Sequence, residues 1–330
     1  MENKKFKAFF VTENEQGFER SVVEREIKDL PENEVLIKVQ YSSLNYKDAL
    51  SSTGNKGVTR KYPHTPGIDA AGVVVSSSND LVKEGTEVIV TGYDLGMNTS
   101  GGFAEYIRVP AAWVVPLPKG LTLKESMIYG TAGLTAAISV YKLVVKGGVK
   151  PEDGEILVTG STGGVGSVAI RILSKLGYDI VAVTGKPEGE KFLLEIGAKR
   201  VISRSEADDT TRPMLRGVWA GVIDTVGGNI LSTAIKSTKY NGVVTACGNA
   251  AGGDFHSSVY PFILRGVTLY GVDSVEISMS ERVELWNKMA NEWKIEGLSE
   301  VYTEVTLDGL EEKVQSILSG THTGRTIVKL

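Results

Sequence analysis

The chain has 330 residues, 42% of them hydrophobic and 23% charged, an ordinary globular balance in a length that exceeds one hydrophobic core and so predicts two domains. A formal net charge of -4, a single cysteine (Cys247) and three scattered histidines (His64, His256, His322) argue against a nucleic-acid partner, an internal disulfide and a multi-cysteine zinc site. A reducing cytoplasmic location fits, the N-terminal apolar run is too short for a signal peptide, and no segment is read as long and apolar enough to cross a bilayer, so no membrane partner is expected.

Short β-branched or aromatic runs at Phe6–Val11, Glu34–Gln40, Gly72–Val75 and Glu87–Thr91, separated by Gly, Pro, Asn and Ser, predict strands. Gly102–Val109 alternates apolar and polar residues and adds another, giving a small irregular β-barrel or sandwich. From about Leu123 the texture changes: Lys124–Val145 reads as a long apolar helix, and strands then alternate with helices. The strands are Glu155–Thr159, Asp179–Thr184, Arg200–Ser203, Ala220–Val226, Val243–Ala246 and Val267–Val272; helices are read at Val165–Leu176 and Glu188–Ile196. Such alternation predicts an α/β fold with a Rossmann doubly wound parallel sheet. The tail reads as a helix at Ser280–Trp293, a strand at Thr303–Thr306, a helix at Leu310–Leu318 and a strand at Thr326–Lys329, returning to the first domain. The expected division is therefore 1–124 as a β-rich catalytic domain, 125–297 as an inserted nucleotide-binding domain and 298–330 as the return.

The sharpest local signal is Ile156-Leu-Val-Thr-Gly-Ser-Thr-Gly-Gly-Val-Gly166, a β-branched strand running into glycines and then a helix. Glycines permit a sharp turn and let backbone N–H groups approach a pyrophosphate, to which the helix dipole adds its positive end. The spacing departs from G-x-G-x-x-G, and Ser167 and Val168 after Gly166 disfavour a triphosphate-binding loop. Ser161, Thr162, Gly163, Gly164 and Val165 are the candidate pyrophosphate contacts. The second strand ends Thr184-Gly185-Lys186, with no acid where an NAD enzyme holds its ribose hydroxyls. A hydroxyl and a cation there, with Arg204 at the end of the next strand, suit a 2′-phosphate, so NADP(H) is the expected cofactor.

Ser43-Leu-Asn-Tyr-Lys-Asp-Ala-Leu50, Pro66-Gly-Ile-Asp-Ala-Ala-Gly-Val73, Tyr129-Gly-Thr-Ala-Gly-Leu-Thr-Ala136 and the glycine turn stand in an order that resembles the zinc-free medium-chain dehydrogenase/reductase superfamily over the whole chain. Asn-Tyr-Lys-Asp, Val272-Asp-Ser and the terminal Gly-Arg-Thr-Ile-Val-Lys resemble its quinone oxidoreductase branch of the YhdH/YhfP type, which includes acryloyl-CoA reductases. The resemblance implies a GroES-like catalytic domain split between the chain ends, with the Rossmann domain between. Where the alcohol dehydrogenase branch carries a Gly-His-Glu turn, this chain reads Gly67-Ile68-Asp69, and the partner cysteines are missing, so no metal site is expected.

In that superfamily the segment of Asn45, Tyr46 and Asp48 faces the nicotinamide. Tyr46 then packs on the cofactor or donates a proton, Asn45 donates to an oxyanion, and Asp48 and Asp69 form a buried pair with Arg325 as counter-charge. Cofactor contacts at Thr131, Asn249 and Ser274 are implied in the same way. The reading is NADPH-dependent hydride transfer to a quinone or to an α,β-unsaturated carbonyl or acyl-CoA; a non-catalytic NADPH sensor and a zinc alcohol dehydrogenase are the alternatives. The resemblance also implies a homodimer, for which the apolar strand Val267–Val272 is the expected pairing edge.

Overall fold

The computed structural model describes residues 3–298 and 302–330, which fold into two compact units. One contains the chain up to Thr131, Val275–Asn291 and the stretch from Glu296; the other is Ala132–Ser274 with Glu292–Ile295. The first unit begins with β1 (Lys5–Asn14) and β2 (Gly17–Glu26), an antiparallel pair. Phe6 and Ala8 of β1 turn inward between exposed lysines, the period-two pattern of a strand with one buried face. There follow β3 (Val35–Leu44), the short helix α1 (Tyr46–Ser52), β4 (Asp69–Ser77), β5 (Glu87–Thr91), β6 (Tyr106–Val109) and β7 (Val115–Pro116). Helix α2 (Leu123–Val140) is broken at Gly130, whose φ of 54° and ψ of -158° are not helical, and it runs on into a π-helical turn at Tyr141–Lys146.

The second unit alternates β8 (Ile156–Val158), α3 (Gly164–Lys175), β9 (Ile180–Thr184), α4 (Glu190–Glu195), β10 (Arg200–Ser203), β11 (Trp219–Asp224), α5 (Gly228–Lys236), β12 (Thr238–Ala246), α6 (Tyr260–Arg265) and β13 (Thr268–Gly271). All six strands are parallel, in the order β10-β9-β8-β11-β12-β13. Every residue of β9 and β11 is buried, as expected of strands covered by helices on both faces. The order reverses between β8 and β11, and dinucleotides bind beyond the carboxyl ends of the strands at such a point.

The chain then re-enters the first unit with α7 (Met279–Ala290), β14 (Tyr302–Val305), α8 (Leu310–Leu318) and β15 (Arg325–Lys329). Its sheet runs β14-β15-β3-β4-β5-β7, with β6 paired to β3, so both chain ends build one sheet. The chain passes from the first unit to the second after Thr131 and returns after Ser274, with Glu292–Ile295 belonging again to the second. Helix α7 groups with the first unit because buried Arg282 donates to the Thr91 carbonyl at 2.7 Å and lies 4.5 Å over the Tyr93 ring.

One expectation needs correction. By length and composition alone Leu123–Lys146 could cross a bilayer: an 18-residue window in it has a mean hydropathy of 1.4, and 78% of that window is buried within the protein.

Candidate active site

In the first unit, β3 delivers Ser42, Ser43 and Leu44 to the end of the sheet, and Asn45 then caps α1 in extended conformation. Asp48, at the third helical position, accepts the Asn45 backbone N–H at 2.8 Å through Oδ2 and the Ile68 N–H at 2.8 Å through Oδ1. Asp69, the first residue of β4, is fully engaged. Its Oδ2 accepts from Ser43 Oγ at 2.5 Å, Asn45 Nδ2 at 2.8 Å and the Thr131 N–H at 2.9 Å, while Oδ1 accepts from Thr131 Oγ1 at 2.5 Å. From β15, Arg325 donates Nε to the Ile128 carbonyl at 2.9 Å and Nη1 to Leu44 O and Asn45 Oδ1, both at 3.3 Å; its buried Nη2 has no hydrogen-bond partner among the described residues. The structure thus brings Asn45, Asp48, Asp69, Thr131 and Arg325 into one buried cluster, to which Ser43 is an addition the sequence reading missed.

Burial first, and the neighbouring Asp69 second, push the Asp48 carboxyl up to about 7. Burial also lowers Arg325, with Asp69 and Asp48 opposing that shift. The geometry gives Asn45 a different task from the expected oxyanion donor. Its amide hydrogens point into the cluster, at Asp69, Asp48 and the Ser43 carbonyl, so it fixes the start of α1. Tyr46, the first residue of that helix, stands outside the cluster and is 52% exposed.

In the second unit the strand-to-helix turn follows from its glycines. Gly160 has φ +58°, and a Cβ there would lie 2.2 Å from Thr225 Oγ1. At Gly166 a Cβ would meet the Gly160 carbonyl at 2.6 Å, so the first turn of α3 sits directly on the loop. Gly163, Gly164 and Val165 remain partly exposed at the helix start, where N–H groups precede the intrahelical ladder. Ser161 faces inward instead: its Oγ donates to Val158 O at 2.7 Å and accepts the Val183 N–H at 3.0 Å, strapping β8 to β9. Thr162 is buried against Gly189.

At the end of β9, Thr184 Oγ1 accepts the Lys186 N–H at 3.0 Å, and the Arg204 guanidinium lies against Gly185. Burial lowers Lys186; the Glu188 charge opposes that shift and the smaller effect of Arg204 adds to it. Arg204 also lines a cavity of about 360 Å³ with Gly228, Ile230 and Ala251. Asn249 is exposed beyond β12, and its carbonyl accepts the Gly252 N–H at 3.0 Å. Ser274 Oγ accepts from Thr135 Oγ1 at 2.8 Å. Among the described residues no group of three or more His, Cys, Asp or Glu is arranged to hold a metal ion.

A doubly wound sheet with a glycine turn, together with a sheet built from both chain ends, defines the class. Residues 31–119 match the alcohol dehydrogenase GroES-like domain and residues 164–291 the zinc-binding dehydrogenase domain. The chain belongs to the medium-chain dehydrogenase/reductase family of oxidoreductases. It is 46% identical to YhfP of Bacillus subtilis, a protein named for quinone oxidoreduction, over 92% of each chain. A crystal structure of B. subtilis YhfP with NAD bound superposes with a TM-score of 0.96 at 44% identity, covering 99% of this chain and 100% of that one. The acrylyl-CoA reductase AcuI of Ruegeria pomeroyi is 40% identical over 98% of both chains. The YhdH oxidoreductase of Salmonella enterica, crystallised with NADP, matches with a TM-score of 0.96 and 41% identity, over 98% of this chain and 99% of that one.

Proposed function

We propose that the protein is a zinc-independent, NADPH-dependent reductase acting on a quinone or an α,β-unsaturated carbonyl, such as an acryloyl-CoA-like thioester. The observation that carries this reading is the engagement of Asp69. Where the alcohol dehydrogenase branch presents a metal-binding turn, this carboxylate spends both oxygens on Ser43, Asn45 and Thr131. A substrate carbonyl is then polarised by hydrogen bonds.

The residues present fit the nucleotide. A Cβ would fill the turn at Gly160, Gly164 and Val165 offer helix-start N–H groups to a pyrophosphate, and Lys186 and Arg204 supply charge for a 2′-phosphate. Bound nicotinamide supplies the hydride. Tyr46 delivers a proton to the reduced substrate from its exposed hydroxyl, while Asn45, Asp48, Asp69 and Arg325 hold the helix that carries it. Thr131, Asn249 and Ser274 complete the cofactor contacts in this reading. The protein acts as a homodimer, paired through the β13 edge beside exposed Val259, Ile263 and Leu264.

Absorbance of reduced nicotinamide, followed with acryloyl-CoA and with a small quinone, tests the reading. NADPH consumption is expected, falling about 100-fold in kcat for Tyr46→Phe. No turnover with either substrate class rejects it.

A further inference from the structure

Asp224 ends β11 on the strand next to β8, at the position where the strand order reverses, and its side chain is fully buried. It joins two turns. Oδ1 accepts from Thr159 Oγ1 at 2.8 Å, immediately before the Gly160 turn, and Oδ2 accepts the Gly227 N–H at 2.7 Å in the turn after β11. Thr159 Oγ1 in turn accepts the Thr225 N–H at 2.9 Å, and Thr225 Oγ1 donates back to the Thr159 carbonyl at 2.9 Å. Gly160 rests on that same Thr225 hydroxyl. The carboxylate therefore fixes both edges of the crevice from below without being exposed to anything bound in it.

We propose that Asp224 is a positioning residue for the dinucleotide, holding the turns after β8 and β11 in the shape that the nucleotide requires. This rests on the reading that the glycine turn binds a nicotinamide nucleotide. Burial pushes the carboxyl up to about 6 against the hydrogen bonds from Gly227, Thr159 and Val226. Thr159 faces it from the β8 side. From the β12 side comes Cys247, whose Sγ donates to the Asp224 carbonyl at 3.3 Å and whose thiol, pushed up to about 12 by burial and then by Asp224, is neutral throughout. Among the described residues no charged side chain acts on the carboxylate. As pH falls through 6 the carboxylate gains a proton and loses an acceptor, so the two turns leave the shape that fits the nucleotide, even though the folded chain as a whole gains from that proton.

The test is nucleotide affinity by calorimetry between pH 5 and 8, with NAD+ and NADP+ as acid-stable probes; NAD+ lacks the 2′-phosphate, which titrates in this window itself. For the native chain the dissociation constant of both rises below pH 6, by up to about tenfold per pH unit. In Asp224→Asn the NAD+ constant is flat across the window, and NADP+ keeps only the phosphate's own dependence. Thr159→Ser keeps the native profile, and Thr159→Val, which removes a hydrogen bond that lowers the carboxyl, moves the midpoint upward, so the prediction stands on a second variant should Asp224→Asn not fold. Binding whose pH profile is unchanged in Asp224→Asn or in Thr159→Val overturns the role of Asp224. Failure of the native chain to bind either nucleotide at any pH overturns the nucleotide reading instead.

Discussion

Asp48 and Lys186 carry opposite burdens. Asp48 is buried beside a second carboxylate, and its folded value of about 7 lies above the ordinary 3.8. The folded chain therefore holds more protons than the unfolded one between those values. This contribution to stability is fully present below about pH 4 and is lost as pH rises through 7. Asp224 adds a contribution of the same sign that is lost through about 6. Urea denaturation across this range is expected to show native stability falling with pH, at up to about 1.4 kcal/mol per pH unit for each group. Asp48→Asn removes the part of the slope nearest neutrality; an unaltered slope would show that Asp48 is not the titrating group. Lys186 and Arg204 both lie at the end of β9, and the proposed NADP(H) reading gives them the 2′-phosphate. Lys186→Ala is expected to raise the dissociation constant of NADPH at least about tenfold, the worth of one charge-assisted hydrogen bond, with that of NADH changed less than about twofold. Equal losses for both nucleotides would contradict the phosphate role.

Among the elements, the break in α2 is the most demanding piece of backbone. Gly130 combines φ 54° with three polar neighbours, so that an added Cβ would lie 2.3 Å from Ser43 Oγ, 2.6 Å from Asp69 Oδ2 and 2.7 Å from Arg325 Nη2. Gly130→Ala is expected to cost about 2–4 kcal/mol, measured by chemical denaturation, and to lower turnover in the refolded fraction because the α1 cap shifts with Asp69. The strands of the second unit could be read from sequence because parallel, doubly covered strands are continuous apolar runs, as in Ile180-Val-Ala-Val-Thr184. β2 escaped notice for the converse reason: Gly17–Glu26 is charged, has no fully buried residue and pairs with β1 alone. α5 was missed because its two leading glycines look like a turn, although Ile230, Leu231, Ala234 and Ile235 then form a buried helical face. The break in α2 was hidden because Gly130 lies inside an otherwise unbroken apolar pattern. In the candidate site, motif order singles out the segments of Asn45, Asp48 and Asp69, which the structure brings together. The hydrogen bonds of Asp69 could not be read from it, since Ser43 and Asn45 lie on one segment and Thr131 on another far along the chain.

At the scale of the whole molecule, the insertion of one unit into the sequence of the other makes the C-terminal strand essential to the first sheet. β15 lies between β14 and β3, with Thr326 opposite Leu44 and Lys329 opposite Tyr41. The six-stranded sheet ends at β13, whose free edge adjoins the exposed apolar surface of α6. If this edge pairs two copies, sedimentation of the native chain gives twice the chain mass. Leu269→Pro, which removes a backbone donor and places a ring on the edge, shifts it to a single chain mass without altering the circular dichroism. A native chain that sediments as a monomer at micromolar concentration refutes the pairing. Cys247 also matters beyond its place just after β12. Its thiol is almost entirely protonated at neutral pH and partly covered, so maleimides find little to react with. A cysteine introduced at an open position such as Leu81, 91% exposed, then becomes the one fast-labelling site, and a fluorophore can be attached without first removing the native thiol.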